Sequence, residues 1–174
     1  MTATYDDLAG VVDLFGALTR EELSAALAEL AFKRGREVDE AALAEAIDEA
    51  VAEYYLVEYD PAGDGSAVGS DSATRGDTAD ENGALLVAGP TAFPTLPENA
   101  ADLPHILDVP DRSVDRERLG EAVAERLLAE AARATADDDR ERAAFLLDVS
   151  YDLEAWAPVD VTDAREQLAA ALQD

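Results

Sequence analysis

Tyr54-Tyr55-Leu56-Val57-Glu58-Tyr59 is the stretch where the chain changes its rhythm. Aromatic and β-branched residues crowd these six positions, as they do in strands, whereas the residues before them repeat at helical spacing. A second short apolar run, Ala84-Leu85-Leu86-Val87-Ala88, follows an Asn82-Gly83 turn. The simplest pairing of the two runs is an antiparallel hairpin. Its tip would be Asp60 to Gly83, a run of Gly, Ser, Asp, Ala and Thr with almost nothing to bury, expected to be a disordered acidic insert over 60–83.

Upstream, three helices are expected. The first, Thr4 to Leu18, sets Leu8, Val11, Val12, Phe15 and Leu18 on one stripe, with Thr4 as its cap and Asp7 three residues on. The second opens on the capping box Thr19-Arg20-Glu21-Glu22, in which the hydroxyl and the carboxylate each satisfy a backbone donor the helix leaves unpaired. Leu23, Ala26, Leu27 and Leu30 form its inward face, and Gly35 supplies a left-handed stop. The third is capped by Asp39 between Val38 and Leu43, with Leu43, Ala46, Ile47, Ala50, Val51 and Tyr54 inward.

Downstream, five prolines punctuate Gly89 to Asp111. Phe93, Leu96, Leu103, Ile106 and Leu107 are the side chains expected to hold that segment against the body. Ser113 or Asp115 opens a long helix with Leu119, Val123, Leu127 and Ala131 on one side. Asp137-Asp138-Asp139 begins another, with Phe145, Val149, Leu153 and Trp156 as its stripe, and Thr162 to Leu172 forms a short last helix.

The expected fold is therefore mainly α with a small β-hairpin. Residues 1–92 hold three helices plus the hairpin, 93–112 a Pro-rich connector, and 113–174 a helical C-terminal region packed on the first. Three helices followed by a two-stranded hairpin resemble a winged helix in element order over Thr4 to Ala88. That likeness implies a third helix entering the DNA major groove, where Arg, Asn or Gln reads bases. Here the third helix carries Glu40, Glu45, Asp48, Glu49 and Glu53 and no base. Such a helix repels phosphate.

Charge dominates the composition. Forty Asp and Glu oppose 13 Lys and Arg, a formal net charge of −27 over 174 residues, and Lys33 is the only lysine. Like charge of this density works against a compact state in dilute buffer. It is screened in molar salt, where the Debye length falls from about 10 Å at 0.1 M to about 3 Å. We expect a halophilic protein. The acidic helices, the solitary Lys33, the Asp/Gly/Ser insert and the Leu-Pro-rich connector resemble uncharacterised protein families of unknown function found in haloarchaea. That likeness implies a cytoplasmic, salt-adapted protein and supplies no activity.

The residue inventory narrows the chemistry. Cys is absent, which excludes disulfides, thiolate zinc sites and cysteine nucleophiles. No run of 18 uncharged apolar residues exists to span a membrane, and Met1 to Gly10 lacks the basic-then-apolar pattern of a signal peptide, so a cytoplasmic location is expected. Gly63-x-Gly65-x-x-x-Gly69 departs from the dinucleotide spacing, and Asp60, Asp64 and Asp71 depart from the calcium-loop spacing. The lone His105 has no nucleophile elbow to serve.

Lys33-Arg34-Gly35-Arg36 is the one compact basic cluster, a candidate contact for nucleic acid or phosphate. The plainer reading is favourable cation placement at a helix C-terminus. Arg112, Arg116 and Arg118 form a weaker group, expected to pair with Asp111, Asp115 and Glu121. No catalytic residue, metal site or cofactor is expected. The preferred reading is a non-enzymatic interaction or regulatory protein that meets a protein partner or a second copy of itself, with nucleic acid disfavoured and no membrane. The alternatives are a winged-helix DNA-binding transcriptional regulator using Lys33, Arg34 and Arg36, and a small enzyme built from carboxylates, Tyr and His105.

Overall fold

The computed structural model describes residues 3–61 and 83–173. The glycine motif and all of the acidic insert but Asp60, Pro61 and Gly83 lie outside them. The described residues fall into two compact units, 3–61 with 83–114, and 115–173.

The first unit runs α1 (Tyr5–Phe15), β1 (Leu18–Thr19), α2 (Arg20–Lys33), α3 (Glu40–Ala52), β2 (Leu56–Tyr59) and β3 (Leu85–Ala88). The strands form one antiparallel sheet in the order β1-β3-β2. The expected hairpin is present, with Val57 opposite Val87 and Leu56 opposite Ala88. The third strand was not anticipated. Leu18 was expected to end the first helix, but α1 stops at Phe15 with Gly16 as its C-cap, and Leu18 instead pairs with Leu86.

The caps follow local chemistry closely. Thr4 with Asp7 and Thr19 with Glu22 both form complete capping boxes, and the Asp39 carboxylate accepts from the Ala42 amide. Leu8, Val11 and Val12 from α1, Leu23, Ala26, Leu27 and Leu30 from α2, and Ile47 and Ala50 from α3 then close on Leu56 and Leu86 of the sheet. Tyr54 lies outside the helix and strand assigned to it. It is fully buried at φ 62°, in the turn that joins α3 to β2.

The Pro-rich segment belongs to this unit. It continues into a 3-10 turn (Ala100–Asp102) and the four-residue α4 (Leu103–Ile106). Hydrogen bonds from its backbone, rather than the expected Phe93 and Leu96 side chains, hold its start in place. The Thr95 amide donates to the Asp6 carbonyl at 3.1 Å, and the Phe93 amide donates to the Asp6 carboxylate at 2.9 Å. Gly10 permits this approach, since a Cβ there would stand 2.0 Å from the Thr95 carbonyl oxygen. Ala100 and Leu103 are the buried anchors; Phe93, Leu96 and Ile106, expected to pack inward, are exposed. Gly10→Ala is expected to push the connector off α1 and cost roughly 1–3 kcal/mol, the usual range for overpacking. Urea unfolding measures it.

The second unit is built from α5 (Arg116–Ala136), α6 (Arg140–Trp156) and α7 (Thr162–Gln173). Asp115 caps α5, and Leu119, Val123, Leu127 and Ala131 are buried as their spacing requires. Of the three aspartates at the next junction, Asp139 caps α6 while Asp137 closes α5. The inward face of α6 differs from the expected stripe. Ala143, Leu146, Val149, Ser150 and Leu153 are buried, while Phe145 and Trp156 sit at the margin beneath guanidinium groups of Arg142 and Arg116, each 4.8 Å from its ring. Glu130 accepts from both Arg126 and Arg142 at 2.8 Å, and Arg165 bridges Glu154 at 2.6 Å. These arginines brace helices.

Candidate functional site

The basic turn is set by the way α2 ends. The Gly35 amide donates to the Phe32 carbonyl and the Arg36 amide to the Ala31 carbonyl, with Gly35 at φ 68°. This is a Schellman closure, which satisfies the last helical carbonyls and reverses the chain. Arg34 and Arg36 are thereby placed on either side of the reversal. Gly35→Ala meets no atom within 4 Å, so its expected cost is backbone strain alone, about 1 kcal/mol. Thermal or urea unfolding checks that figure.

Between α1, α2 and α3 lies a cavity of about 260 Å³. Leu8, Leu27 and Leu30 form its floor, Leu43 and Ala46 a wall, and Pro97 of the connector an edge. Arg34 and Arg36 stand at its lining with Asp7, Glu37 and Asp39. Two of those carboxylates are already engaged. Asp7 accepts from the Thr4 amide at 2.9 Å and Asp39 from the Ala42 amide at 3.1 Å, where helix N-termini favour negative charge. Arg34 donates to the Glu98 carbonyl at 3.1 Å, which fastens the α2 end to the connector. Among the described residues, Lys33 and Arg36 form no ion pair.

Two exposed rings lie on segments that also contribute residues to the lining. Phe32, beside Lys33, is 77% exposed, and Phe93, four residues before Pro97, is 82% exposed.

Every charged residue of α3 is acidic. Asp48 takes the Arg20 guanidinium at 2.7 Å, which also reaches Glu58 of β2 at 3.0 Å, and Glu49 accepts from the Tyr5 hydroxyl. That hydrogen bond and burial push Tyr5 up to about 12. Glu40 and Glu45 face solvent.

The weaker arginine group does not pair as expected. Arg112 clasps Glu22 with both terminal nitrogens, at 2.7 and 2.8 Å, and so locks the α2 cap to the end of the connector. Arg116 covers Trp156. The guanidinium of Arg112 holds the Glu22 carboxyl below its ordinary range, and Arg142 with Arg126 does the same for Glu130 against the opposing effect of burial. A carboxyl lowered in this way adds stability above its unfolded value of about 4.3, and that stability is lost as pH falls through the lower folded value. Glu22→Gln retains the cap but not the charge. It is expected to cost about 1 kcal/mol at neutral pH, with the difference from the parent closing in acid. Urea melts of both proteins across pH 3 to 7 at constant salt test it.

His105 is exposed on α4 and does not line the cavity. Among the described residues no group of three His, Asp or Glu is placed to hold a metal ion, and no helix is long and apolar enough to cross a membrane. Tyr54 and Tyr59 serve the core, while Tyr55 packs on Tyr5 with ring centroids 5.2 Å apart. The pocket itself was not foreseen, because its lining comes from residues as far apart as Ala3 and Pro97.

Fold and site together define a mainly helical acidic protein with a small antiparallel sheet and an apolar pocket beside a basic turn. The chain belongs to the family of unknown function DUF7109, which matches residues 6–173 and so spans both units. No curated protein and no solved structure matches it.

Proposed function

We propose that this is a non-enzymatic interaction protein of a high-salt cytoplasm, whose first unit is a winged-helix-like scaffold turned to protein rather than nucleic-acid contact. The observation that carries this reading is the distribution of charge on α3. In a winged helix the third helix is the one that faces DNA. Here its solvent face presents Glu40, Glu45, Asp48 and Glu49, and its neighbour Arg20 is already taken up by Asp48 and Glu58. The exposed ring of Phe32 gathers instead at the end of α2 with Lys33 and Arg36, which form no ion pair among the described residues.

The helix-strand-helix-helix-strand-strand order of the first unit favours a second reading, a DNA-binding regulator that grips phosphate through Lys33, Arg34 and Arg36. Three cations would give a shallow salt dependence, with a logarithmic slope of roughly −0.9 per phosphate neutralised, and little affinity would survive in molar salt. Fluorescence anisotropy of labelled mixed-sequence duplex DNA, titrated with the full chain in dilute and in molar potassium chloride, separates the two. The interaction reading expects no rise in anisotropy at either salt. Saturable binding that weakens in Lys33→Ala/Arg36→Ala would establish the regulator instead.

A further inference from the structure

We propose that the pocket between α1, α2 and α3 binds a free α-amino acid with an aliphatic side chain, about the size of leucine. Its side chain fills the apolar depth, and its carboxylate and ammonium are held by the charged groups of the lining. The proposal goes beyond the interaction reading and is tested independently of it.

Burial grades the lining from apolar to charged. Leu8, Leu27 and Leu30 are buried and Leu43 is half-buried, whereas Arg34, Arg36, Glu37 and Asp39 are exposed. The aliphatic groups therefore lie deep, and most of the charge stands toward solvent. A ligand that matches this gradient has a hydrocarbon end and a compact ionic end.

Volume limits the hydrocarbon end. The cavity, about 260 Å³, falls below the roughly 300–1,000 Å³ usual for drug-sized molecules. At about 30 Å³ for each water-sized group, it takes on the order of nine non-hydrogen atoms. A nucleotide or a long acyl chain exceeds that size. Leucine, isoleucine and valine do not.

Charge decides the ionic end. The lining holds two guanidinium groups, Arg34 and Arg36, against three carboxylates, Asp7, Glu37 and Asp39. A simple anion would meet the carboxylates, and a simple cation the guanidiniums. A zwitterion finds partners of both signs. The five groups differ in what they still have to offer. Asp7 and Asp39 each accept a backbone N–H at a helix cap, and Arg34 spends one N–H on the Glu98 carbonyl. Among the described residues, the side chains of Arg36 and Glu37 form no hydrogen bond or ion pair. Arg36, with the remaining donors of Arg34, is thus the group that takes the ligand carboxylate, and Glu37 the group that takes its ammonium.

Isothermal titration calorimetry of the full chain in molar potassium chloride, with L-leucine as titrant, provides the test. Saturable binding at a single site is expected, shared by isoleucine and valine but not by glycine, which lacks the apolar end. Leucinamide lacks the carboxylate and N-acetyl-leucine the ammonium, and each should bind at least about tenfold more weakly than leucine. Arg36→Ala and Glu37→Gln, both at exposed positions, should weaken leucine by about the same factor, with circular dichroism reporting that the helices are retained. Tyr151→Ala, an exposed ring of the second unit, should leave binding unchanged. Absence of binding by leucine, isoleucine and valine overturns the proposal. So does leucine binding that leucinamide or N-acetyl-leucine equals, or that is indifferent to Arg36→Ala. None of these results touches the interaction reading, which the DNA titration tests separately.

Discussion

Truncating Ile47 to Ala is expected to cost about 3–5 kcal/mol, the upper part of the range for buried aliphatic residues. Ile47 is 1% exposed and sits in the cluster formed by Leu8, Leu23, Leu27, Leu56 and Leu86, where α3 meets the other two helices and the sheet. Close packing leaves those neighbours little freedom to collapse into the gap, so the cavity persists and its cost adds to the lost transfer energy. Leu27→Ala removes the same number of methyl groups at a site that already borders the pocket. Its floor can relax into open space, so its cost should lie nearer 2 kcal/mol. Urea unfolding of both variants in molar potassium chloride gives the comparison. A loss below about 1 kcal/mol for Ile47→Ala would mean that α3 turns a different face to the core.

What could be read in advance divides along the range of the interactions involved. The Thr19–Glu22 box, the Asp39 and Asp115 caps and the Gly35 stop each need only a few adjacent residues, and all four are present. The stripes of α2 and α5 were also legible, because one unbroken helical period decides them. β1 was not. Leu18-Thr19 becomes a strand only because β3, more than sixty residues later, offers it an edge. The α6 face was misjudged through residue size: Phe145 and Trp156 drew attention, yet arginines shield them while Ala143 and Leu146 turn inward. Arg112 chose Glu22, ninety residues away, over its acidic neighbours in sequence. The basic turn could be located from its residues, but the pocket beside it could not, since helix packing creates it.

The account depends most on a balance between apolar burial and carboxylate repulsion. Native stability is only about 5–15 kcal/mol, small enough for a change in screening to move it substantially. With a net charge of −27 and α3 lined by Glu40, Glu45, Asp48 and Glu49, lowering salt lengthens the reach of every repulsion at once. Local pairs such as Arg20 with Asp48 and Glu58, or Arg142 with Glu130, engage too few carboxylates to offset it. We expect transfer from molar to millimolar potassium chloride to cost about 3 kcal/mol, which for a chain of this size lowers the unfolding midpoint by roughly 6–12 °C.

Thermal unfolding followed by circular dichroism across a potassium chloride series, with sucrose as an uncharged control, tests this directly. The account predicts a midpoint that climbs steadily with salt and gains less from sucrose. A midpoint that stays level from millimolar to molar salt would contradict it.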